Sequence, residues 1–230
     1  TQWTDLSINC ESCHGPGSTH IAFWESPHSA TAIDTSLVNI GLLSPKQSVE
    51  ACAQCHAKKR VLAEGFSPGG TFSDYYEIEL LDDGAFWPNG RYRELNYNTL
   101  GFTLSPCFSK GGLTCLGCHD SHHLGPRTAL QSVSGRDYDR SCPSCHVGFG
   151  PDHGNHKTVG CVDCHMPRME EVARIGVYDH RIASPTPELT ERLGIPNACD
   201  SCHPSKGTSW SAEWVQKWWG ESIGRSERLN

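Results

Sequence analysis

The sequence predicts a mainly α-helical fold with much irregular coil and one small β-hairpin, forming a single domain over residues 1–230. Three observations carry that expectation. Leu, Ile, Val and Phe together make about 19 % of the 230 residues, just under the roughly 20 % at which a chain struggles to build an apolar core. The net charge of −7 is too modest for a disordered chain, which combines low hydrophobicity with high charge. Glycine (23) and proline (14) are plentiful, so long regular elements are few, and something other than aliphatic side chains must fill the interior. A pentapeptide that occurs six times indicates what fills it.

The repeats are Cys10-Glu11-Ser12-Cys13-His14, Cys52-Ala53-Gln54-Cys55-His56, Cys115-Leu116-Gly117-Cys118-His119, Cys142-Pro143-Ser144-Cys145-His146, Cys161-Val162-Asp163-Cys164-His165 and Cys199-Asp200-Ser201-Cys202-His203. C-x-x-C-H is the attachment signature of c-type haem. Two sulfurs three positions apart reach the two vinyl groups on one porphyrin edge, and the next residue sets an imidazole on the iron. The cofactor expectation is therefore six haem c groups. Cys142-x2-Cys145-x15-Cys161-x2-Cys164 also fits zinc-ribbon spacing, but zinc has no use for a histidine after every second cysteine. A thioredoxin-like C-x-x-C is a single redox site and would not recur six times.

Six of the thirteen histidines lie in the motifs, leaving His20, His28, His122, His123, His153, His156 and His180 for the distal sides of six irons. Met166 and Met169 are the only methionines, so most haems are expected to be bis-histidine, which keeps potentials lower than Met/His ligation. Adjacent residues rarely both face irons, so His123 is read as surplus and His20, His28, His122, His153, His156 and His180 as distal ligands. Cys107, the odd cysteine, is expected to be a buried small hydrophobe.

Along the chain, Ser44-Pro45-Lys46-Gln47 reads as a capping box with proline at the first helical position. It opens a helix that carries Cys52 to His56 and stops near Gly65, with Lys58-Lys59-Arg60 at its end. In the longest interval between motifs, Tyr75 to Leu81 is expected as a strand, Asp83-Gly84 as a turn and Arg91 to Tyr97 as the returning strand. Thr186-Pro187 starts a short helix ending at Gly194, with Pro196 beyond. Trp210, Trp214 and Trp218 stand four apart on one helical face ended by Gly220, a stripe read as covering a haem, with partner docking as the alternative.

Several blocks resemble the cytochrome c554 and hydroxylamine-oxidoreductase-related multihaem cytochromes, a group whose members are often fused to tetratricopeptide repeats. Cys10 to His20 is similar to their CExCHGPGSxH block, and Cys115 to His122 to CxDCHDPH, with Gly117 and Ser121 in place of Asp and Pro. Cys161 to Pro167 resembles CxxCHMP, and Asp179-His180 and Pro196-Asn197-Ala198-Cys199 fit the DH and PNAC elements. The resemblance implies His20, His122, His156 and His180 as distal ligands. Relatives often carry further haem motifs upstream, so it also implies either a shortened member or residues before Thr1.

The functional expectation is an electron carrier: six closely packed haems relaying electrons between redox partner proteins or to an extracellular acceptor. The alternatives are a subunit of a conductive homo-oligomer or filament, and an oxidoreductase with one five-coordinate haem acting on a small nitrogen compound. No C-x-x-C-K occurs, the variant typical of the cytochrome c nitrite reductase active haem. Net negative charge argues against nucleic acid. No apolar run is long enough to span a bilayer, and no P-loop, GxGxxG or G-x-S-x-G is present. Haem attachment to C-x-x-C-H takes place outside the cytoplasm, so a periplasmic or extracellular location is expected.

Overall fold

A computed structural model describes residues 8–79, 84–93, 97–122, 141–172 and 175–220. His123, residues 80–83 and residues 94–96 lie outside them, and with them parts of the expected hairpin strands and its turn.

The first helices are α1 (Cys10–His14) and α2 (Ser18–Glu25). Asn9 caps α1 reciprocally: its side chain accepts the Ser12 N–H at 3.1 Å, and the Ser12 hydroxyl accepts the Asn9 N–H at 3.4 Å. Helix α3 spans Pro45–His56, with Pro45 at its first turn and the Ser44 hydroxyl accepting the Gln47 N–H at 3.3 Å. The Gln47 side-chain oxygen accepts the Ser44 hydroxyl at 2.7 Å and not the Ser44 N–H that a full box would require, while its NH2 donates to the Gly69 carbonyl at 2.7 Å and anchors the following loop. Helix α3 buries Val49 and Ala53, with Ala57 just beyond its end, while Cys52 is half-buried and Cys55 and His56 are exposed in its last turn.

The helix ends nine residues before the expected stop at Gly65, because the chain turns extended at Ala57. Lys59–Val61 then forms strand β1, so the basic run leaves the helix instead of closing it. Strand β2 (Tyr76–Ile78) lies within the expected strand, but it pairs antiparallel with β1, not with residues 91–97. Opposed charges line that pairing: Arg60 faces Glu77 in an ion pair, and Lys58 reaches Glu79 at 3.3 Å. Among its described residues, the returning segment bridges Tyr92 to Phe86, with the Arg93 N–H donating to the Ala85 carbonyl at 2.9 Å. A second two-stranded sheet, β3 (Arg168–Val172) with β4 (Ile175–Tyr178), was not expected from the sequence.

Helices α4 (Asn98–Thr103), α5 (Pro106–Ser109), α6 (Cys161–His165), α7 (Glu188–Leu193) and α8 (Thr208–Trp219) complete the described helices. Helix α7 stops at Gly194 in the left-handed region (φ 70°), as the sequence predicts. Packed side-chain clusters are small: Ala53, Ala57 and Phe72 form one, and Ala85, Phe86 and Tyr92 another. The architecture is mainly helix and coil, with the polypeptide's own core thin and divided. Among the described residues, no helix is long and apolar enough to cross a membrane.

Candidate functional site

All six C-x-x-C-H motifs adopt one local shape. Three lie at helix ends: the whole of α1, the last turn of α3 and the whole of α6. The other three form 3₁₀ turns at Cys115, Cys142 and Cys199, in which the motif histidine N–H returns to the first cysteine's carbonyl at 2.8–2.9 Å. In either form the two cysteines and the histidine project to one side of a turn. None of the twelve motif cysteines is buried in the polypeptide, and none is joined to another in a disulfide. Both sulfurs of each motif are thus presented outward from a turn, as attachment to a porphyrin edge requires.

The flanking residues explain the first block. Gly15 has φ 78°, and a Cβ there would meet the Ser67 hydroxyl at 3.0 Å. The Glu11 carboxylate accepts the Gly17 N–H at 2.6 Å, tying α1 to the start of α2. At the sixth motif, Asn197 accepts the N–H groups of Cys199 (2.9 Å) and Asp200 (3.3 Å) and so caps the turn. At the third motif, a Cβ on Gly117 would lie 2.5 Å from the Leu113 side chain. The Asp that the resembling block carries at that position would require Leu113 to move.

The non-motif histidines are brought to motif histidines in four pairs. His14 and His122 face each other with ring centres 5.8 Å apart and planes within 7°. His119 and His180 are 6.1 Å apart at 20°, His153 and His165 5.9 Å at 22°, and His156 and His203 6.3 Å at 49°. Two imidazoles bound on opposite sides of one metal ion, each at about 2 Å, would hold their centres about 6 Å apart. The spacing therefore fits a shared metal centre, and each pair joins one motif histidine to one outside the motifs.

Ring orientation is fixed from the other nitrogen. Nδ1 of His14 contacts the Val38 carbonyl at 2.7 Å, His165 that of Ala183 at 3.1 Å, and His180 that of Tyr178 at 2.8 Å. His28, His153 and His156 contact the Ser26, Gly150 and Gly154 carbonyls, each at 2.7 Å. His20 instead meets the Asp34 carboxylate. An Nδ1–H bonded to an oxygen leaves Nε2 as the free donor nitrogen, the usual arrangement around ligating histidines. Burial, the largest cause in each case, pushes His119, His165 and His180 below the usual imidazole range and so favours the neutral form that binds metal.

His20 and His28 are placed differently. Among the described residues, their ring contacts are with Trp24, and with Phe23 for His28, not with a motif histidine. His56 lies close enough to His119 and His180 to influence both electrostatically, and His146 does the same to His165.

Consecutive motifs are neighbours. The Cys13 thiol is pushed up by burial and then by Cys52 and Cys55. Cys52 and Cys115 share a thiol hydrogen bond that, with burial, raises Cys115. Cys107 is half-buried, not fully buried as expected, and is raised by burial and then by Cys118 and Cys145. Cys164 is pushed up to about 11 by burial, with Cys199 and Cys202 contributing. Motifs one, two and three are linked in this way, as are three with four, four with five and five with six.

Helix α8 lines the last of these centres. Trp210 lies 4.9 Å from His203, Trp214 bridges Trp210 and Trp218, and Trp218 stands edge-on to His156 at 5.7 Å. Trp210 and Trp218 thus pack on His203 and His156, with Trp214 between them. Trp219, off the stripe, reaches His153 at 5.8 Å, a contact that helical spacing did not indicate. Among the described residues, no group of three or more His, Cys, Asp or Glu side chains converges to hold a bare metal ion. The zinc-ribbon alternative thus finds no matching cluster there.

The family profile described as cytochrome c552 matches residues 150–219, which include the fifth and sixth motifs, His153, His156 and α8. The chain is similar in structure to the outer cell wall cytochrome OcwA, with a TM-score of 0.60 and 18 % sequence identity over 96 % of this chain. It spans 59 % of the length of that protein. No curated protein sequence matches it. The fold is shared with that outer cell wall cytochrome.

Proposed function

We propose that this chain, with the fold of a multihaem cytochrome, is an electron-transfer c-type cytochrome that relays electrons through six haems, most of them bis-histidine. The observation that carries the proposal is the set of four cross-chain histidine pairs, each joining a motif histidine to a non-motif histidine about 6 Å away. In this reading the twelve motif cysteines form thioethers. His14, His56, His119, His146, His165 and His203 are the proximal ligands, and His122, His180, His153 and His156 are distal on the first, third, fifth and sixth haems. His20 and His28 are the remaining candidates for the second and fourth haems.

Haem c supplies one-electron redox chemistry, and the protein sets its spacing, ligation and surroundings. The motif turns hold paired sulfurs and an imidazole on one side. The carbonyls of Val38, Ala183, Gly150, Gly154 and Tyr178 orient rings through Nδ1, and Trp210, Trp214 and Trp218 screen the sixth centre from water. Close succession of the motifs supports a continuous path through residues 1–230 as one unit. The blocks around Cys10, Cys161 and Cys199 favour kinship with the cytochrome c554 and hydroxylamine-oxidoreductase-related group. Partners in this reading are redox proteins or an extracellular acceptor, and the location is periplasmic or extracellular, in keeping with where haem c is attached. No residue-level observation favours the filament or oxidoreductase alternatives.

Intact mass and low-temperature EPR on one sample of purified protein test the proposal. The expected result is a mass increment of six haems and ferric signals dominated by low-spin bis-histidine species. A mass showing fewer covalent haems, or a dominant high-spin ferric signal, would overturn it.

A further inference from the structure

Among the described residues, His14, His28, His153, His156, His165 and His180 rest Nδ1 on a backbone carbonyl, whereas His20 rests on a carboxylate. The carboxylate belongs to Asp34, whose side chain is only 10 % exposed. Its other oxygen is fully engaged: Oδ1 accepts the Ser36 N–H at 2.9 Å and the Ser36 hydroxyl at 2.5 Å. Two donors on one oxygen fix the carboxylate plane and leave Oδ2 facing the His20 ring. On its far side His20 meets the edge of Trp24, with ring centres 6.5 Å apart. The imidazole is thus braced at Nδ1 and packed on one side.

A carboxylate and a carbonyl act differently on an imidazole. Both hold a proton on Nδ1 and so select Nε2 as the donor nitrogen. The carboxylate also carries a full charge, which makes the hydrogen bond charge-assisted and the ring a stronger electron donor. A stronger donor stabilises ferric over ferrous iron.

We infer that Asp34 is a positioning residue that fixes His20 as an Nε2 ligand and, through its charge, lowers the reduction potential of the haem that His20 serves. The inference rests on the bis-histidine reading above. It sets that haem apart from those whose ligands are oriented by backbone carbonyls. Ser36 is part of the device, because without it the carboxylate could rotate away from the ring.

The test uses the full haem-loaded chain and the variants Asp34→Asn, Asp34→Glu, Ser36→Ala and His20→Ala, read by intact mass, EPR and spectroelectrochemical titration. Asparagine can keep an oxygen toward Ser36, but it then turns an NH2 toward the His20 Nδ1–H and so loses both the charge and the hydrogen bond to the ring. It should leave the haem content unchanged and raise one potential, with about a tenfold loss of ferric preference, ~59 mV for a one-electron couple. Glutamate should move that potential back toward the original value. Ser36→Ala, which keeps the charge, should give a smaller rise of the same sign, and it carries the test if Asp34→Asn fails to load. His20→Ala should convert one low-spin signal to high-spin.

If Asp34→Asn and Ser36→Ala leave every potential in place while His20→Ala gives the high-spin signal, the role of Asp34 is refuted and the bis-histidine reading stands. If His20→Ala leaves all low-spin signals unchanged, His20 is not a ligand and the inference falls alone. A parent protein already dominated by high-spin iron would instead overturn the reading beneath it.

Discussion

The residues that orient the imidazoles were the least legible part of the sequence. The motif histidines declare themselves by their position after C-x-x-C, and the count of remaining histidines nearly matches the distal sites required. The partner of each ring was not readable, because it depends on how distant segments close. His14 meets His122 across two of the five intervals between motifs, and its Nδ1 rests on Val38, a residue no motif marks. Asp179 is similar. The Asp179-His180 element is visible in the resemblance, but its partner Arg91 is not. Arg91 Nε lies 2.7 Å from Asp179 Oδ2, with the two side chains 7 % and 3 % exposed. Asp179 Oδ1 accepts the Arg181 N–H at 2.9 Å, and Arg91 also donates to the Pro196 carbonyl at 3.1 Å. The pair thus pins the turn carrying His180 against the segment before the sixth motif. Removing one member of a buried pair strands the other charge, at a cost of ~3–5 kcal/mol. Arg91→Met should therefore lower the stability of the haem-loaded protein by that order in urea denaturation. The double variant Arg91→Met/Asp179→Asn should recover part of the loss, because no buried charge is then left unpaired. Equal stability of Arg91→Met and the parent would show that the pair does not hold the turn.

Elements were legible in proportion to how local their determinants are. Helix α3 follows from Ser44, Pro45 and Gln47, helix α7 from Gly194, and α8 from its tryptophan spacing. Strand β2 was visible from its composition around Tyr76 and Ile78. Its partner differs from the expected one because pairing follows tertiary packing: Tyr76 and Ile78 pack on the Ala53, Ala57 and Phe72 cluster at the end of α3, beside residues 59–61. The clustered Lys-Lys-Arg that reads as a helix end is the edge of a hairpin, with Lys58 and Arg60 paired to Glu79 and Glu77. The β3–β4 hairpin was missed altogether; Val172, Ile175 and Val177 supply β-branched residues, but too few to separate a strand from coil. The local logic of α3 gives a test at this scale. The Ser44 hydroxyl accepts the Gln47 N–H and donates to the Gln47 side-chain oxygen at 2.7 Å. Ser44→Ala should cost about 1 kcal/mol, within the ~0.5–2 kcal/mol range for losing an N-cap side chain. It should leave haem content and EPR unaltered, since Ser44 stands at the opposite end of α3 from Cys52 and His56. Thermal denaturation of the haem-loaded variant checks the size, and a change in the EPR signals would show that the cap reaches the iron site.

The shortage of aliphatic residues acquires its meaning across the whole molecule. Among the described residues, apolar side chains are buried in separate groups of about three, and four of the twelve buried apolar residues are alanines. Leu42, Val147, Ile33 and Ile8 are more than three-quarters exposed in the polypeptide alone. Ordering a chain costs roughly 1–2 kcal/mol per residue in backbone entropy, and clusters this small cannot offset it over 230 residues. Six haems would leave roughly 38 residues to each. The contacts that hold distant segments together, His14 to His122, His119 to His180, His153 to His165 and His156 to His203, are spaced for a shared centre and are too far apart for direct ring-face contact. The tertiary structure should therefore depend on the haems, as small metal domains depend on their ions. A chain with all twelve motif cysteines replaced by alanine should show no cooperative thermal transition by circular dichroism and a near-UV spectrum without fixed aromatic signals. Its tryptophans report directly, because Trp210, Trp214 and Trp218 are ordered against His203 and His156 in the native fold. Residual helix in α3 or α8 would be compatible with the claim, since caps and spacing act locally. A sharp melt with native-like tryptophan signals would refute it, and would mean that the scattered clusters and the buried Arg91–Asp179 pair suffice to hold the fold.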